Sequence, residues 1–397
     1  MFENLVPRPA DAIMALMEQC KADTRPEKID LGVGVYKNAA GETVILDSVK
    51  QAEELWGREE TTKSYVGTVG NQNFCQDMLE LMLGKDNPAI TQGRIGAAQA
   101  AGGSGALRLG AELLAVVAPD ATVWTSTPTW ANHIPLISSA GLKMDKYPYY
   151  NRETLGVDFD DMLSHLNDNA ARGDVVLLHG CCHNPTGADL SPAQWDQLAD
   201  FMLERGLTPY VDLAYFGLGR GMEEDTYGLR KLVATVPEVL LAASCSKNFA
   251  LYRERVGLIA AITATPDKAA IARSQFGAIQ RKIISMPPDH GAAIVTRILR
   301  DETLRKLWVS ELDEMRGRML SLRALMSDAL NVQGGEAMSA AIKNQNGMFS
   351  TLPLSQAQAE ALRSDHAVYL MNSGRINIAG ANRDNIPRLA EAILKVL

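Results

Sequence analysis

The sequence predicts an α/β protein: a large domain with a mostly parallel sheet covered by helices on both faces, and a smaller α+β domain built from both ends of the chain. Three observations predict it. Short apolar runs bounded by turn residues alternate with helical stretches from about residue 95 to 300, the pattern of strand, crossover helix and strand. The polar residues able to do chemistry fall just after those runs, at the carboxyl ends of the expected strands, where open α/β sheets bind ligands. A long helical pattern from Leu304 to Leu330 then gives way to Gly347-Met348-Phe349-Ser350 and Val368-Tyr369-Leu370-Met371, which read as strands of a separate unit.

A chain of 397 residues is too long for one small core, and two domains are expected. We divide it into an arm (1–14), a small domain (15–47 with 312–397) and a large domain (48–311). Apolar residues make up 46% and charged residues 22%, an ordinary globular composition. The formal net charge of −8 argues against a sequence-independent grip on nucleic acid phosphates or anionic lipid. Five sparse cysteines (Cys20, Cys75, Cys181, Cys182, Cys245) suggest no disulfide framework and a reducing compartment. The first residues lack the basic and apolar regions of a secretory signal and no run approaches membrane-spanning length, so a cytoplasmic protein is expected.

In order, Pro7-Arg8-Pro9-Ala10-Asp11 reads as an extended arm, of a kind that packs on a partner subunit, before a helix from Ala12 to Lys21. Asp30-Leu31-Gly32-Val33-Gly34-Val35-Tyr36 has glycines that permit close backbone approach, though a plain turn explains them equally and no dinucleotide fingerprint is completed. Tyr65 in Ser64-Tyr65-Val66-Gly67 says nothing alone. Gly102-Gly103-Ser104-Gly105-Ala106 precedes a helix from Leu107 to Val116, and is either a tight turn or an anion site suited to phosphate. The strand Thr122–Thr125 leads into a loop with Trp130 and His133; both suit a core, and the indole also suits a cofactor platform.

The buried strand Val175–His179 ends in Gly180-Cys181-Cys182-His183-Asn184-Pro185-Thr186-Gly187, with helix start signals at Ser191, Pro192 and Gln194. A metal site there is disfavoured, because adjacent cysteines chelate poorly and no second Cys or His pair is near in sequence. Asn184 is the better functional candidate. The strand Thr208–Asp212 delivers Asp212 to the same edge, where a buried carboxylate needs a cation or strong donor, and Tyr215 follows. The strand Val239–Ala243 is followed by Ser244-Cys245-Ser246-Lys247. A lone Ser-x-Ser-Lys is usually a surface loop, but a lysine at a strand's carboxyl end can be desolvated, lose its proton near neutral pH and attack a carbonyl carbon. Arg255 and a strand from Val256 to Ile262 come next, then Arg375 in Ser373-Gly374-Arg375-Ile376-Asn377 and a closing helix from Ile386 to Leu397.

Taken together, Tyr-x-Gly, Gly-Gly-x-Gly-Ala-Leu, Cys-His-Asn-Pro-Thr-Gly, Asp-x-Ala-Tyr, Ser-x-Ser-Lys-Asn, Arg-Glu-Arg-Val-Gly and Ser-Gly-Arg-Ile-Asn resemble the class I, fold-type I pyridoxal phosphate aminotransferases, in the aspartate and aromatic amino acid subgroup. The resemblance covers essentially the whole chain. It implies that Lys247 holds pyridoxal 5'-phosphate as a Schiff base and then moves the proton at the substrate α-carbon. It further implies that Asp212, backed by His133, keeps the pyridine nitrogen protonated, that Asn184 and Tyr215 bond the phenolic oxygen, and that Trp130 stacks on the ring. The phosphate falls to Arg255, Ser244, Ser246 and the N–H groups of Ser104 and Gly105, with Tyr65 arriving from a second subunit, so a homodimer is implied. Arg375 takes the substrate α-carboxylate, Gly34 lines the substrate side, and Arg281 from the partner meets the side-chain carboxylate of a dicarboxylic substrate.

The chain departs from the resemblance at Ala106, where a hydroxyl contact to the phosphate is expected to be missing. It departs again at Arg281-Lys282-Ile283-Ile284-Ser285-Met286 and at Tyr215-Phe216-Gly217-Leu218, near the distal end of the pocket. The expected activity is ping-pong transfer of the amine of aspartate or an aromatic amino acid to a 2-oxo acid, with glyoxylate or another short acceptor as the alternative to 2-oxoglutarate. A lyase or decarboxylase on the same fold, and a non-catalytic binding module, are the competing readings. The former lacks a reason for Trp130, Arg281 and Arg375 together, and the latter lacks a DNA-binding domain or a basic surface.

Overall fold

The computed structural model describes residues 2–7 and 11–397. Arg8, Pro9 and Ala10 of the expected arm lie outside the described residues. Seven strands form the central sheet; by first residue their spatial order is 95, 256, 239, 208, 175, 122, 143. The strands beginning at 143, 122, 175, 208 and 239 run parallel, and Val256–Ile262 pairs antiparallel with both Val239–Ser244 and Ile95–Ala101. The chain steps outward from Thr122–Thr127 to Lys143–Pro148, then returns to the other side of Thr122–Thr127 with Val175–His179. That reversal opens a crevice at the carboxyl ends of Thr122–Thr127 and Val175–His179.

Local chemistry explains the boundaries. The expected capping box is formed, with Ser191 Oγ accepting from Gln194 N–H and the Gln194 side chain accepting from Ser191 N–H, Pro192 at the first turn, and Gly206 in the left-handed region as the stop. Asp11 caps the helix Ala12–Ala22 by accepting from Ile13 and Met14 N–H. The strands Val239–Ser244 and Val256–Ile262 are buried along their whole length, as expected for apolar runs covered on both faces.

Two expectations are corrected. The helix behind the glycine cluster starts at Gly102, so the glycines form its first turn rather than a preceding loop. His133 opens a short helix, His133–Ser138, and is not a loop residue. The two expected carboxy-terminal strands are present and pair with other segments: Phe349–Thr351 with Arg375–Asn377, and Val368–Tyr369 with Ile29–Asp30 near the amino terminus. The last pairing draws both ends of the chain into a second apolar core, built on Ile29, Leu31 and residues from Leu322 to Ile393. The helix Glu302–Val332 runs from one core to the other, with Trp308 and Leu312 in the first and Leu322 and Met326 in the second.

Candidate active site

A cavity of about 260 Å³ opens at the strand ends. Its walls take Asp212 from the carboxyl end of the strand Thr208–Leu213, Asn184 and Lys247 from segments that follow sheet strands, Trp130 from the loop beyond Thr122–Thr127, and Gly34, Phe349 and Arg375 from segments outside the central sheet. Seven segments distant in sequence thus converge, four of them because their parallel strands end at the same edge of the central sheet.

Asp212 is paired in register with His179 on the neighbouring strand, which fixes its height in the crevice. Its Oδ2 lies 3.0 Å from His133 Nε2. A carboxylate can only accept, so Nε2 carries the hydrogen. Thr129 Oγ1 lies 2.8 Å from His133 Nδ1 and 3.1 Å from His179 Nε2. Burial, with the neighbouring His133 adding to it and Asp212 opposing, pushes His179 down to about 3, so it stays neutral. Burial also acts to raise Asp212, but the His133 hydrogen bond and the surrounding His133, His179 and Lys247 outweigh it, holding the carboxyl below its usual value.

Lys247 follows the strand Val239–Ser244 in a turn and lines the cavity. Its Nζ lies 4.7 Å from the centre of the Tyr215 ring. Burial, reinforced by Arg255 and opposed by Asp212, pushes it down to about 8. Tyr215 is raised above the usual phenol range by burial, against the pull of Arg375, and its hydroxyl sits 3.4 Å from Asn184 Nδ2.

A second cluster lies at the start of the helix Gly102–Val117. No side chain caps this helix, which leaves its first N–H groups free for an anion. Ser246 Oγ accepts from Ser244 Oγ at 3.1 Å and from Arg255 Nη1 at 3.2 Å. Arg255 itself adopts a left-handed backbone, φ 53°. Glycine is favoured at 102, where φ is +70° and a Cβ would stand 2.4 Å from Arg255 Nη2, and a Cβ at 103 would sit tightly, 3.1 Å from Ser244 Cβ. Ala106 is buried in the core below the helix and does not line the cavity, whereas Ser104 does. The expected loss of a phosphate hydroxyl at Ala106 is therefore corrected, since a side chain there would not face the site. Gly105 also lies behind the lining, against Ala100 and Ala101.

Arg375 Nη2 donates to the Gly32 carbonyl at 2.7 Å, and its guanidinium lies 4.7 Å from the Phe349 ring centre. Among the described residues its buried Nε has no hydrogen-bond partner, and burial lowers the group from its usual value. An orphaned guanidinium donor beside a cavity is suited to a carboxylate.

Two expected site residues are elsewhere. Tyr65 is 92% exposed, and Arg281 lies in a separate surface groove with Thr68 and Gly277, its guanidinium bonded to Ser285 Oγ. The departures Lys282 to Met286 do not line the cavity, nor do Phe216, Gly217 and Leu218. Among the lining residues that the sequence reading did not assign to the site are Ile13, His179, Tyr252 and Phe349. His179 could have been found, since it ends a strand predicted to its last residue; the other three come from a helix, a turn and a strand pairing with no signal of their own. The cysteine pair does approach a third ligand type, Asp225, within 4.8 Å. That carboxylate already accepts from the N–H groups of Gly217, Gly219 and Arg220, and burial holds the Cys181 thiol well above its usual value.

The family model for aminotransferase class I and II matches residues 26–393, and the chain belongs to this family. The chain is 45% identical to the aspartate aminotransferase of Escherichia coli strain K12 over 397 residues, all of both chains. It is 44% identical to an aromatic-amino-acid aminotransferase of Pseudomonas aeruginosa over 395 residues, covering 100% of this chain and 98% of that one. Among solved structures, the aromatic-amino-acid aminotransferase of Burkholderia pseudomallei, covalently bound to pyridoxal phosphate, superposes with a TM-score of 0.97 at 41% identity, covering 100% of this chain and 99% of that one.

Proposed function

We propose that the protein is a pyridoxal phosphate-dependent transaminase that moves the amino group of aspartate or an aromatic amino acid to a 2-oxo acid by a ping-pong route. The observation that carries the reading is Lys247: a cavity-lining lysine lowered to about 8, in the same cavity as Asp212 and the orphaned Nε of Arg375. The cavity fits the cofactor. The uncapped helix start, Ser244, Ser246 and Arg255 suit its phosphate, Asp212 its ring nitrogen, Asn184 and Tyr215 its phenolic oxygen, and Trp130 its ring face. When bound, pyridoxal phosphate supplies an electron sink for negative charge at the substrate α-carbon.

The chain's own residues do the rest. Asp212, kept anionic by the His133 N–H, stabilises a proton on the group facing it. Arg375 holds the α-carboxylate and so fixes the α-carbon relative to Lys247 Nζ. Lys247, neutral above about pH 8, would take the proton from the substrate α-carbon and hold it for the return step. In the same reading residues 15–47 and 312–397 form a small domain over the large domain 48–311, and the protein is a homodimer in which the partner subunit's Tyr65 and the partner subunit's Arg281 complete each site. The exposure of both residues, outside their own cavity, supports it. Cytoplasmic residence belongs to the same proposal, on five unpaired buried cysteines; among the described residues no helix is long and apolar enough to cross a membrane.

The test is a matched set of half-reactions. The purified enzyme is mixed with aspartate, glutamate, tyrosine or phenylalanine while cofactor absorbance is followed, then with 2-oxoglutarate, oxaloacetate or glyoxylate. Bleaching by a donor and recovery by a 2-oxo acid is expected, and the fastest pair names the substrates. Amine consumption that no 2-oxo acid reverses contradicts it in favour of a lyase.

A further inference from the structure

Gln99 and Gln280 are buried side by side under the two surface segments that carry Tyr65 and Arg281. Gln280 Nε2 donates to the Thr68 carbonyl at 2.6 Å and to the Gln99 carbonyl at 3.1 Å. Gln99 reaches both segments: its Oε1 accepts from Asn71 N–H at 2.9 Å, and its Nε2 donates to the Pro288 carbonyl at 2.5 Å. The main chain repeats the tie, since Gln99 N–H donates to the Val69 carbonyl at 2.9 Å. The Gln280 carbonyl accepts from both Ile284 and Ser285 N–H, closing the helix end that presents Arg281. Ser285 is held in the left-handed region there, φ 71°, with its hydroxyl on the Arg281 guanidinium.

We infer that Gln280, with Gln99, is a positioning residue that clamps the 65–71 and 281–288 segments to each other, so that Tyr65 and Arg281 are offered to a neighbouring site as one rigid unit. The inference rests on the reading that these two residues complete the partner's cavity. Three physical points support it. Two buried primary amides placed between loops are costly unless their donors are used, and here all the resolved donor contacts go to carbonyls of the two segments or the strand between them. Among the described residues Gln280 Oε1 has no hydrogen-bond partner, so the amide is held through its donors. Glycines also bring the same pieces together: a Cβ at Gly277 would stand 2.8 Å from Thr68 Oγ1, and one at Gly70 would stand 2.7 Å from Pro287 Cγ.

The clamp acts on what the two tips do, not on the chemistry at Lys247. Arg281 is assigned to a side-chain carboxylate and Tyr65 to the cofactor phosphate, so loosening the clamp weakens dicarboxylic substrates and cofactor retention while leaving aromatic substrates and turnover nearly untouched. The experiment uses the full-length holoenzyme with Gln280→Met, which keeps the length and removes the donors. Gly277→Ala is the second variant; it pushes on Thr68 without touching either amide. Both are checked for dimer mass by sedimentation. The expected result is a rise of about fivefold in KM for aspartate and in the pyridoxal phosphate Kd, the effect of one neutral hydrogen bond, with kcat and the KM for phenylalanine within twofold of the parent.

Equal rises for aspartate and phenylalanine, or no change in either variant, overturn the inference. Arg281→Ala is run alongside to separate the two layers. If it leaves aspartate KM unchanged, the shared-site reading fails; if it raises aspartate KM while Gln280→Met and Gly277→Ala do not, the clamp alone fails.

Discussion

His133 Nε2 stands 3.0 Å from Asp212 Oδ2, with the histidine fully buried and the aspartate 8% exposed. This contact is the first of the influences that hold Asp212 down, because burial acts to raise the carboxyl and the His133 donor, with His133, His179 and Lys247 around it, reverses the sign. A depressed carboxylate contributes stability that is present above its unfolded value and is lost as pH falls through the lower folded value.

Replacing the donor, His133→Leu, leaves burial as the larger influence and lifts Asp212 above its ordinary value. The deficit in thermal stability relative to the parent is then expected to widen as pH rises above 4, and the acid limb of kcat to move to higher pH. Melting curves and pH profiles from pH 4 to 8 check both; an unmoved acid limb contradicts the role given to the pair.

Lys247 predicts the opposite trade between stability and function. Below pH 8 the amine is charged in both folded and unfolded chains and the folded state carries the penalty of burying it; above its unfolded value it is neutral in both and the penalty is gone. Lys247→Met should therefore melt higher than the parent as apoprotein at pH 7, with the gain shrinking as pH rises from 8 towards 10.5. Lys247→Ala should lose about 10²- to 10⁴-fold in kcat, the usual worth of a positioned acid–base group.

Arg375→Lys keeps the charge and loses the planar fork. The kcat/KM for every amino acid, dicarboxylic or aromatic, is expected to fall by about 10- to 100-fold, matching the loss of one charge-assisted hydrogen bond. A loss confined to aspartate would show that Arg375 serves the side chain rather than the α-carboxylate.

Gly102→Ala places a methyl against Arg255 at a backbone angle that alanine resists. Displacing that guanidinium from Ser246 should raise the pyridoxal phosphate Kd by about tenfold or more, measured by equilibrium dialysis, with a much smaller effect on substrate KM once the cofactor is saturating.

Much of the site was legible because a parallel sheet converts sequence position into spatial position. Val175–His179 and Val256–Ile262 have the predicted limits, and Asp212 at the carboxyl end of its strand converges with Asn184 and Lys247 just beyond theirs. Phe349 and Ile13 were not legible, since one enters through a short strand whose pairing with Arg375–Asn377 the local sequence does not encode, and the other sits on an amino-terminal helix with an ordinary apolar pattern. Tyr252 was hidden in a turn, and its contacts, the hydroxyl accepting from Tyr36 N–H at 2.9 Å and the carbonyl from Arg255 Nη1 at 3.2 Å, show what it joins. The clamp at Gln99 and Gln280 was invisible for a different reason. Amide side chains in a helix and a strand look like surface polarity until both prove to be buried.

The most direct test of the central role is chemical mapping of Lys247. The holoenzyme is reduced with borohydride, digested and sequenced by mass spectrometry. A pyridoxyl group on Lys247 is the predicted result, whereas a label on another lysine, or none with the cofactor still retained, would contradict the account.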